Sequence, residues 1–249
     1  MQMAQPVILK DYDPAELAEI EEIEKRCYNN PKFPHLHLMP PAVVKVQLEV
    51  IQGGKVTAVY RDLSRSWVRN CYNFINGQTM GLPGGILGTA FGAGTLAVTR
   101  TSGTVDAILT APTYINAYLE NRHVRAGSGV TANGIVVGTS TAAETFEGYI
   151  LDALIANGTG AGQMSYAAMD ALTATWDGGT KKFTQTLVRY INNNSGGSIT
   201  VNEAGLYYSL TTSANQAFML ARDLLAAGVA VADTAQLKVT YSIQSPAYP

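Results

Sequence analysis

The sequence predicts a mainly β protein whose C-terminal body is an antiparallel β-sandwich. Two β-rich runs, 183–191 and 199–208, flank the seven turn formers Asn-Asn-Asn-Ser-Gly-Gly-Ser. A third run, 236–243, alternates Leu, Val, Tyr and Ile with Lys, Thr and Ser. This period of two is typical of a strand with one buried face and one face in water, as in antiparallel sheets.

An extended arm and an acidic helix are predicted at the N-terminus. Residues 1–12 form the arm, and the helix starts with Asp13 as N-cap, Pro14 at the first helical position and Glu16 reaching back. The end of the arm and the helix together hold seven of the chain's 19 acidic residues. The helix is either a solvated face whose charge order suits the helix dipole, or a docking helix that offers Glu16 and Glu19 to a basic neighbour.

A proline-broken connector, 31–41, completes this N-terminal region of residues 1–41. His35 and His37 lie two apart on the connector, so on an extended strand they would face the same way, as a pair of metal ligands does. No third ligand at metal spacing accompanies them, and the sequence therefore predicts no metal site.

A hairpin and a helix are predicted to form a docking region within residues 42–130. The hairpin covers 43–63 and turns at Gly53-Gly54. The helix covers 64–76 and carries an apolar stripe beside an arginine stripe with four-residue spacing. It is either an ordinary surface helix or an interface that pairs with the acidic helix of its own or a neighbouring chain. The candidate interface residues are Arg61, Arg65, Trp67, Arg69 and Phe74, with Glu16 and Glu19 on the acidic side.

The glycine-rich stretch 77–94 lacks a nucleotide-binding pattern. No Gly-Lys-Ser/Thr ending follows it, as a Walker loop requires, and no βαβ context surrounds it. We therefore predict no bound cofactor and interpret the stretch as an apolar loop that packs against a neighbouring subunit. A second hairpin is predicted around Thr101-Ser-Gly-Thr, between 96–98 and 105–109.

The predicted sandwich fills residues 131–249. Further strands are expected from Gly134, within 164–175 and over 217–221, and Asp177-Gly-Gly is expected to be a turn. Arg222 and Asp223 follow the 217–221 run and are predicted to form a local ion pair with each other.

Composition narrows the classes of function. Charged residues make up 14% of the chain, which suits either a β-rich globule or a protein that buries much of its surface against other subunits. The net charge of −2 offers no bulk attraction to nucleic acid. Long apolar segments and a signal-peptide pattern are both missing, so we expect no membrane contact and synthesis in a cytosol. Cys27 and Cys71 are expected to be reduced.

No catalytic arrangement is complete, so the sequence predicts a protein that is not an enzyme. Ser128 lies outside any Gly-x-Ser-x-Gly elbow, and His123 is the sole candidate base. A glycosidase would need two carboxylates close together, but any domain of this size offers such pairs. The carboxylates considered are Glu144, Glu147, Asp152 and Asp170.

Several phrases of the chain resemble structural proteins of tailed-bacteriophage virions. They are the turn followed by Ile-Thr-Val-Asn-Glu-Ala-Gly-Leu-Tyr (192–207), the segment Phe-Met-Leu-Ala-Arg-Asp-Leu-Leu (218–225) and the final strand (229–243). Shorter stretches at 63–70, 133–140 and 155–166 fit the same pattern. The resemblance is one of pattern rather than of an active-site signature, and it implies a location in the virion.

The sequence therefore predicts a structural subunit of a tailed-phage virion with a jelly-roll or immunoglobulin-like body. We expect it to be made in the host cytoplasm and to join capsid, neck or tail subunits as a homo-oligomer. The alternative is a receptor- or carbohydrate-binding module on the virion surface, with Tyr190, Tyr207 and Tyr208 as the candidate sugar-stacking residues. An exposed aromatic cluster would distinguish this alternative from the assembly role.

Overall fold

The structure is a computed structural model that describes residues 5–28, 42–73, 97–107, 124–209 and 217–245. These residues are mainly β, which confirms the predicted class. The elements are α1 (Pro14–Tyr28), β1 (Val7–Lys10), β2 (Val43–Gln52), β3 (Lys55–Leu63), β4 (Ala97–Thr99), β5 (Val105–Ala107), β6 (Gly134–Gly138), β7 (Ser165–Tyr166), β8 (Thr173–Asp177), β9 (Lys182–Asn192), β10 (Ile199–Ser209), β11 (Ala217–Val231) and β12 (Gln236–Gln244).

The described strands form three sheets. The large sheet has the order β1-β3-β2-β12-β9-β7, and β8 pairs with β9 on the same side as β7. The small sheet has the order β11-β10-β6, and β4 and β5 form a separate hairpin. All pairings are antiparallel except that of β1 with β3, which is parallel. The large sheet is therefore mixed rather than purely antiparallel.

The N-terminal arm is part of the large sheet. Val7 and Ile8 of β1 pair with Ala58 and Val59 of β3 in the same chain. The helix α1 begins where the sequence predicts, because the Asp13 carboxylate accepts a hydrogen bond from the Ala15 amide at 2.8 Å and caps the first turn.

Both predicted hairpins form. Gly53 and Gly54 adopt φ of 57° and 74°, the left-handed conformation that a tight two-residue hairpin turn requires. The β2–β3 hairpin lies inside the large sheet, because β2 pairs along its length with β12 near the C-terminus. The β4–β5 hairpin pairs Ala97 with Ala107.

The helix predicted over 64–76 is wrong at its start. Residues 64–68 are not helical, and the first helical residue is Arg69. Trp67 forms a β-bridge with Ala221, and the Val68 amide donates to the Leu220 carbonyl at 3.0 Å. This stretch is therefore bound to the edge of β11, and that long-range pairing outweighs the local helical periodicity.

One hydrophobic core joins the large and small sheets. The chain passes from one sheet to the other at residues 193–198, where the buried Asn193 side chain donates to the carbonyls of Gly197 and Val231. Residues of both sheets belong to the same cluster, including Val46, Leu48, Leu187, Val239 and Tyr241 of the large sheet and Val136, Val201, Leu206, Met219 and Val229 of the small one.

A buried arginine also crosses the core. Arg189 of β9 is fully buried and donates hydrogen bonds to four backbone carbonyls, at 2.6 to 3.1 Å. Its guanidinium lies 4.8 Å from the centre of the Tyr166 ring. Burial lowers the pKa of Arg189 to about 10. The carbonyls belong to Ala167, Ile135, Gly127 and Val130, so this side chain fixes the loop before β6 against the large sheet.

Candidate interaction groove

An open groove with a volume of about 420 Å³ lies where the 64–73 segment meets the loop that follows β6. This volume is within the range of ligand-binding clefts. The groove is lined by Arg65, Ser66, Trp67, Tyr72, Glu144, Thr145 and Phe146.

The first wall of the groove, residues 64–73, is held by β11. The Arg222 amide donates to the Ser66 carbonyl at 3.1 Å, next to the bridge between Trp67 and Ala221. The Ser64 hydroxyl donates to the buried Asp223 carboxylate at 2.8 Å. Trp67 is half-buried and packs against the core, so it forms the floor of the groove.

The second wall, residues 142–148, is held by the same strand. The Arg222 guanidinium donates to the carbonyls of Ala142 at 3.0 Å and Ala143 at 3.2 Å. Glu144 accepts hydrogen bonds from the Leu224 amide and from the Ser66 hydroxyl of the first wall. The two walls are thus connected to each other as well as to β11.

Two exposed aromatic rings form the rim. Tyr72 is 49% exposed and Phe146 is 52% exposed, and their ring centres lie 5.8 Å apart at an angle of 45°. The Arg69 guanidinium lies 5.7 Å from the centre of the Phe146 ring, and the Arg69 amide donates to the Phe146 carbonyl at 2.8 Å. The rim therefore combines apolar ring faces with a cation that is already held in place.

The predicted interface residues divide between two places. Arg65, Trp67 and Arg69 lie at the groove or on its rim. Arg61 lies on β3 instead, where its side chain donates to Gln47 at 3.2 Å and contacts Asp11 at 3.5 Å. The arginines therefore do not share one helical face, and Phe74 lies outside the described residues.

The predicted pairing of arginines with the acidic helix occurs within the chain. Arg65 forms an ion pair with Glu16 of α1, and a longer contact of 3.6 Å with Asp62. The Glu16 carboxylate therefore pairs with Arg65 of the same chain, whereas the Glu19 side chain is exposed on the same helix. Arg69 forms an ion pair with Glu147, which is largely exposed.

The predicted Arg222–Asp223 ion pair is wrong. The strand β11 continues to Val231, so these neighbours are in mid-strand and face opposite sides of the sheet. Arg222 pairs instead with the fully buried Glu203 at 2.7 Å and with Asp152 at 3.0 Å. Glu203 of β10 and Arg222 of β11 thus form a buried pair between neighbouring strands.

Asp223 belongs to a second buried cluster. Its carboxylate accepts hydrogen bonds from the Tyr241 and Ser64 hydroxyls, both at 2.8 Å. Burial raises the pKa of Asp223 to about 6, and the nearby Glu144 adds to this shift. The cluster joins the first wall of the groove to β12 of the large sheet.

Sequence reasoning missed the two rim aromatics. It considered Tyr190, Tyr207 and Tyr208 instead, but Tyr207 is buried and its hydroxyl oxygen accepts a hydrogen bond from the Leu151 amide at 2.7 Å. Phe146 stands alone between Thr145 and Glu147, so no periodicity signals it. Its one sequence signal is an aromatic residue in a polar loop.

The described residues give little support for a metal site, a reactive cysteine or a membrane-spanning helix. No group of three or more His, Cys, Asp or Glu side chains in those residues suits a metal ion. Cys71 is unbridged and buried, and burial raises the pKa of its thiol to about 12, so it is not a reactive thiolate. No helix among the described residues has the length and apolar character needed to cross a bilayer.

Comparison with known proteins gives no family. No family model matches the chain, and searches of curated proteins and of solved structures found no match.

Proposed function

We propose that this protein is a structural subunit of a tailed-phage virion, and that the groove is a contact surface for another virion subunit. The supporting observation is the rim, where Tyr72 and Phe146 are about half exposed beside Arg69. Tyrosine, tryptophan and arginine dominate the energetics of protein interfaces, and large exposed aromatic rings beside a cleft mark interaction sites.

The fold is consistent with this role. The two sheets share one core, and we propose that they form a β-sandwich of jelly-roll or immunoglobulin-like type. Such a sandwich would present the groove on a rigid support. Both walls are anchored to β11 through hydrogen bonds, so little ordering is needed on binding. The low content of charged residues suits a subunit that buries surface against neighbours in a capsid, neck or tail.

Replacing the rim aromatics tests the assembly role. We expect Tyr72→Ala combined with Phe146→Ala to lower incorporation into purified particles by about tenfold or more, because interface hot spots contribute roughly 2 kcal/mol or more. The fold should be retained since both rings are exposed. Tyr149→Ala is the matched control, because Tyr149 is exposed but does not line the groove. Incorporation equal to that of the wild type would contradict the proposal.

A second candidate function is carbohydrate binding at the same groove. The observation in its favour is also the pair of exposed rings, because an aromatic face can stack on the apolar face of a sugar while nearby polar groups orient its hydroxyls. Ser66, Thr145 and Glu144 are the polar groups at hand.

Glycan binding by the isolated protein separates the two candidates. If the groove holds a sugar, the wild type binds members of a glycan array, and Tyr72→Ala with Phe146→Ala loses that binding while Tyr149→Ala keeps it. An array without any bound glycan, together with loss of particle incorporation in the double variant, would leave the assembly role alone.

A further inference from the structure

We infer that β8 is a self-pairing edge, through which two copies of this chain join their large sheets in antiparallel fashion. The inference deepens the proposed assembly role and rests on it only in taking a second copy as the occupant. The β8 edge is remote in sequence from the groove and shares no residue with its lining.

Several other sheet edges of the described residues are covered or protected. Residues 66–68 pair with β11, and the Ile155 amide donates to the Val137 carbonyl at the edge of β6. In the large sheet, β1 is four residues long, has a register shift and ends at Lys10. Short, irregular and charged strands are the usual protection of a sheet edge against pairing.

The β8 edge is regular, and its first four residues are uncharged. It pairs with β9 from Thr173 to Asp177 without a register shift, and all five of its residues are exposed. No second strand partner of β8 is found among the described residues. Residues 173–176 carry no charge and no proline, so their outer backbone groups are suited to accept another strand.

An apolar strip accompanies this edge. Trp176 is 54% exposed, and the alternation of the strand puts it on the same face as Ala174. Leu172, which directly precedes the strand, is 52% exposed. Trp176 is opposite Phe183 of β9, so the strip continues onto the next strand. The same face of β9 carries Leu187 farther along the strand, where it is buried in the core.

The strand is complementary to itself. In an antiparallel pair centred on Thr175, the two Thr175 residues face each other, and each Trp176 faces the small side chain of the partner's Ala174. Asp177 then faces the partner's Thr173, so no like charges are opposed. Such a pair is isologous and closes as a twofold dimer, which is the commonest symmetry of homo-oligomers.

A charge-pairing experiment tests this edge, because Thr175 lies on the proposed twofold axis. We expect Thr175→Lys and Thr175→Glu each to raise the dimer dissociation constant by about tenfold, since like charges directly opposite destabilise a strand pair. An equal mixture of the two variants should recover dimers, detected as Lys–Glu heterodimers by native mass spectrometry. Thr200→Lys, an exposed threonine on β10, is the matched control and should dimerise as the wild type does.

Three results would overturn the inference. They are a wild-type protein that stays monomeric at every concentration in light scattering, Thr175 variants that associate as the wild type does, and a mixture no better associated than its components. The proposed function fails separately, because the rim variant Tyr72→Ala with Phe146→Ala should keep the dimer and lose only incorporation into particles.

Discussion

Arg222 connects the fold to the groove. Its backbone amide holds the first wall through Ser66, and its guanidinium holds the second wall through two carbonyls. The same guanidinium is neutralised by Glu203, which is fully buried, and by Asp152. One residue therefore holds both walls, and the buried Glu203 carboxylate orients its side chain.

Removing the buried Glu203 carboxylate should lower the stability of the protein. We expect Glu203→Gln to lower the free energy of unfolding by about 3 kcal/mol, because a buried arginine loses its closest counter-charge. The exposed pair of Arg69 and Glu147 provides the control: Glu147→Gln should cost less than about 1 kcal/mol, since water screens that pair. Urea unfolding of both variants measures the difference. Equal small losses would show that Glu203 does not stabilise Arg222.

Gly205, which is opposite Arg222 in the small sheet, is also closely packed. A Cβ atom on Gly205 would lie 3.0 Å from Leu151, within the layer of side chains that covers the small sheet. Gly205 belongs to the same Ile-Thr-Val-Asn-Glu-Ala-Gly-Leu-Tyr phrase as Glu203 and Tyr207. Within this phrase, Glu203, Gly205 and Tyr207 all belong to the internal packing of the molecule.

At the scale of elements, local signals predicted local structure. The β2–β3 hairpin follows from its glycine turn, α1 follows from Asp13 and Pro14, and β12 follows from its alternation. Each of these signals acts within a few residues, where sequence and conformation are directly coupled. The chain order of such elements was therefore readable from the sequence.

Long-range pairing was not readable. Residues 64–68 have helical periodicity but pair with β11, some 150 positions later in the chain, and no local feature reveals that partner. The groove has the same origin, because Phe146 reaches Tyr72 and Arg69 only after both walls have docked on β11. Arg65, Trp67 and Arg69 could be predicted as candidates from the sequence, but Tyr72 and Phe146 could be identified only from the fold.

The whole molecule is stabilised by one core that also buries polar side chains. Tyr60, Tyr166, Tyr207 and Tyr241 are all buried, and each hydroxyl forms hydrogen bonds inside the protein. Burial raises the pKa of all four phenols, that of Tyr166 to about 12. The core therefore tolerates these groups only in their neutral form.

This burial predicts cooperative unfolding in alkali. Below pH 10 the four phenols are neutral in both states, but above it the unfolded chain releases their protons first, so stability falls as the pH rises. Arg189 acts in the opposite direction, because its lowered pKa makes the unfolded chain hold the extra proton above about pH 10. The four phenols and the one guanidinium have opposite effects, and together they lower the free energy of unfolding by at most about 4 kcal/mol per pH unit.

The phenolate absorbance of the buried tyrosines should therefore appear in the same transition as the loss of β-sheet circular dichroism. Tyr166→Phe removes one of the four phenols, so it should lower stability at neutral pH, where its hydrogen bonds to Val137 and Ile155 are lost, but make the alkaline decline shallower. Tyr190→Phe is the control, because Tyr190 is only half-buried on the outer face of β9 and should change neither quantity. Complete phenolate formation with an unchanged dichroism spectrum would mean that the core admits water to these hydroxyls.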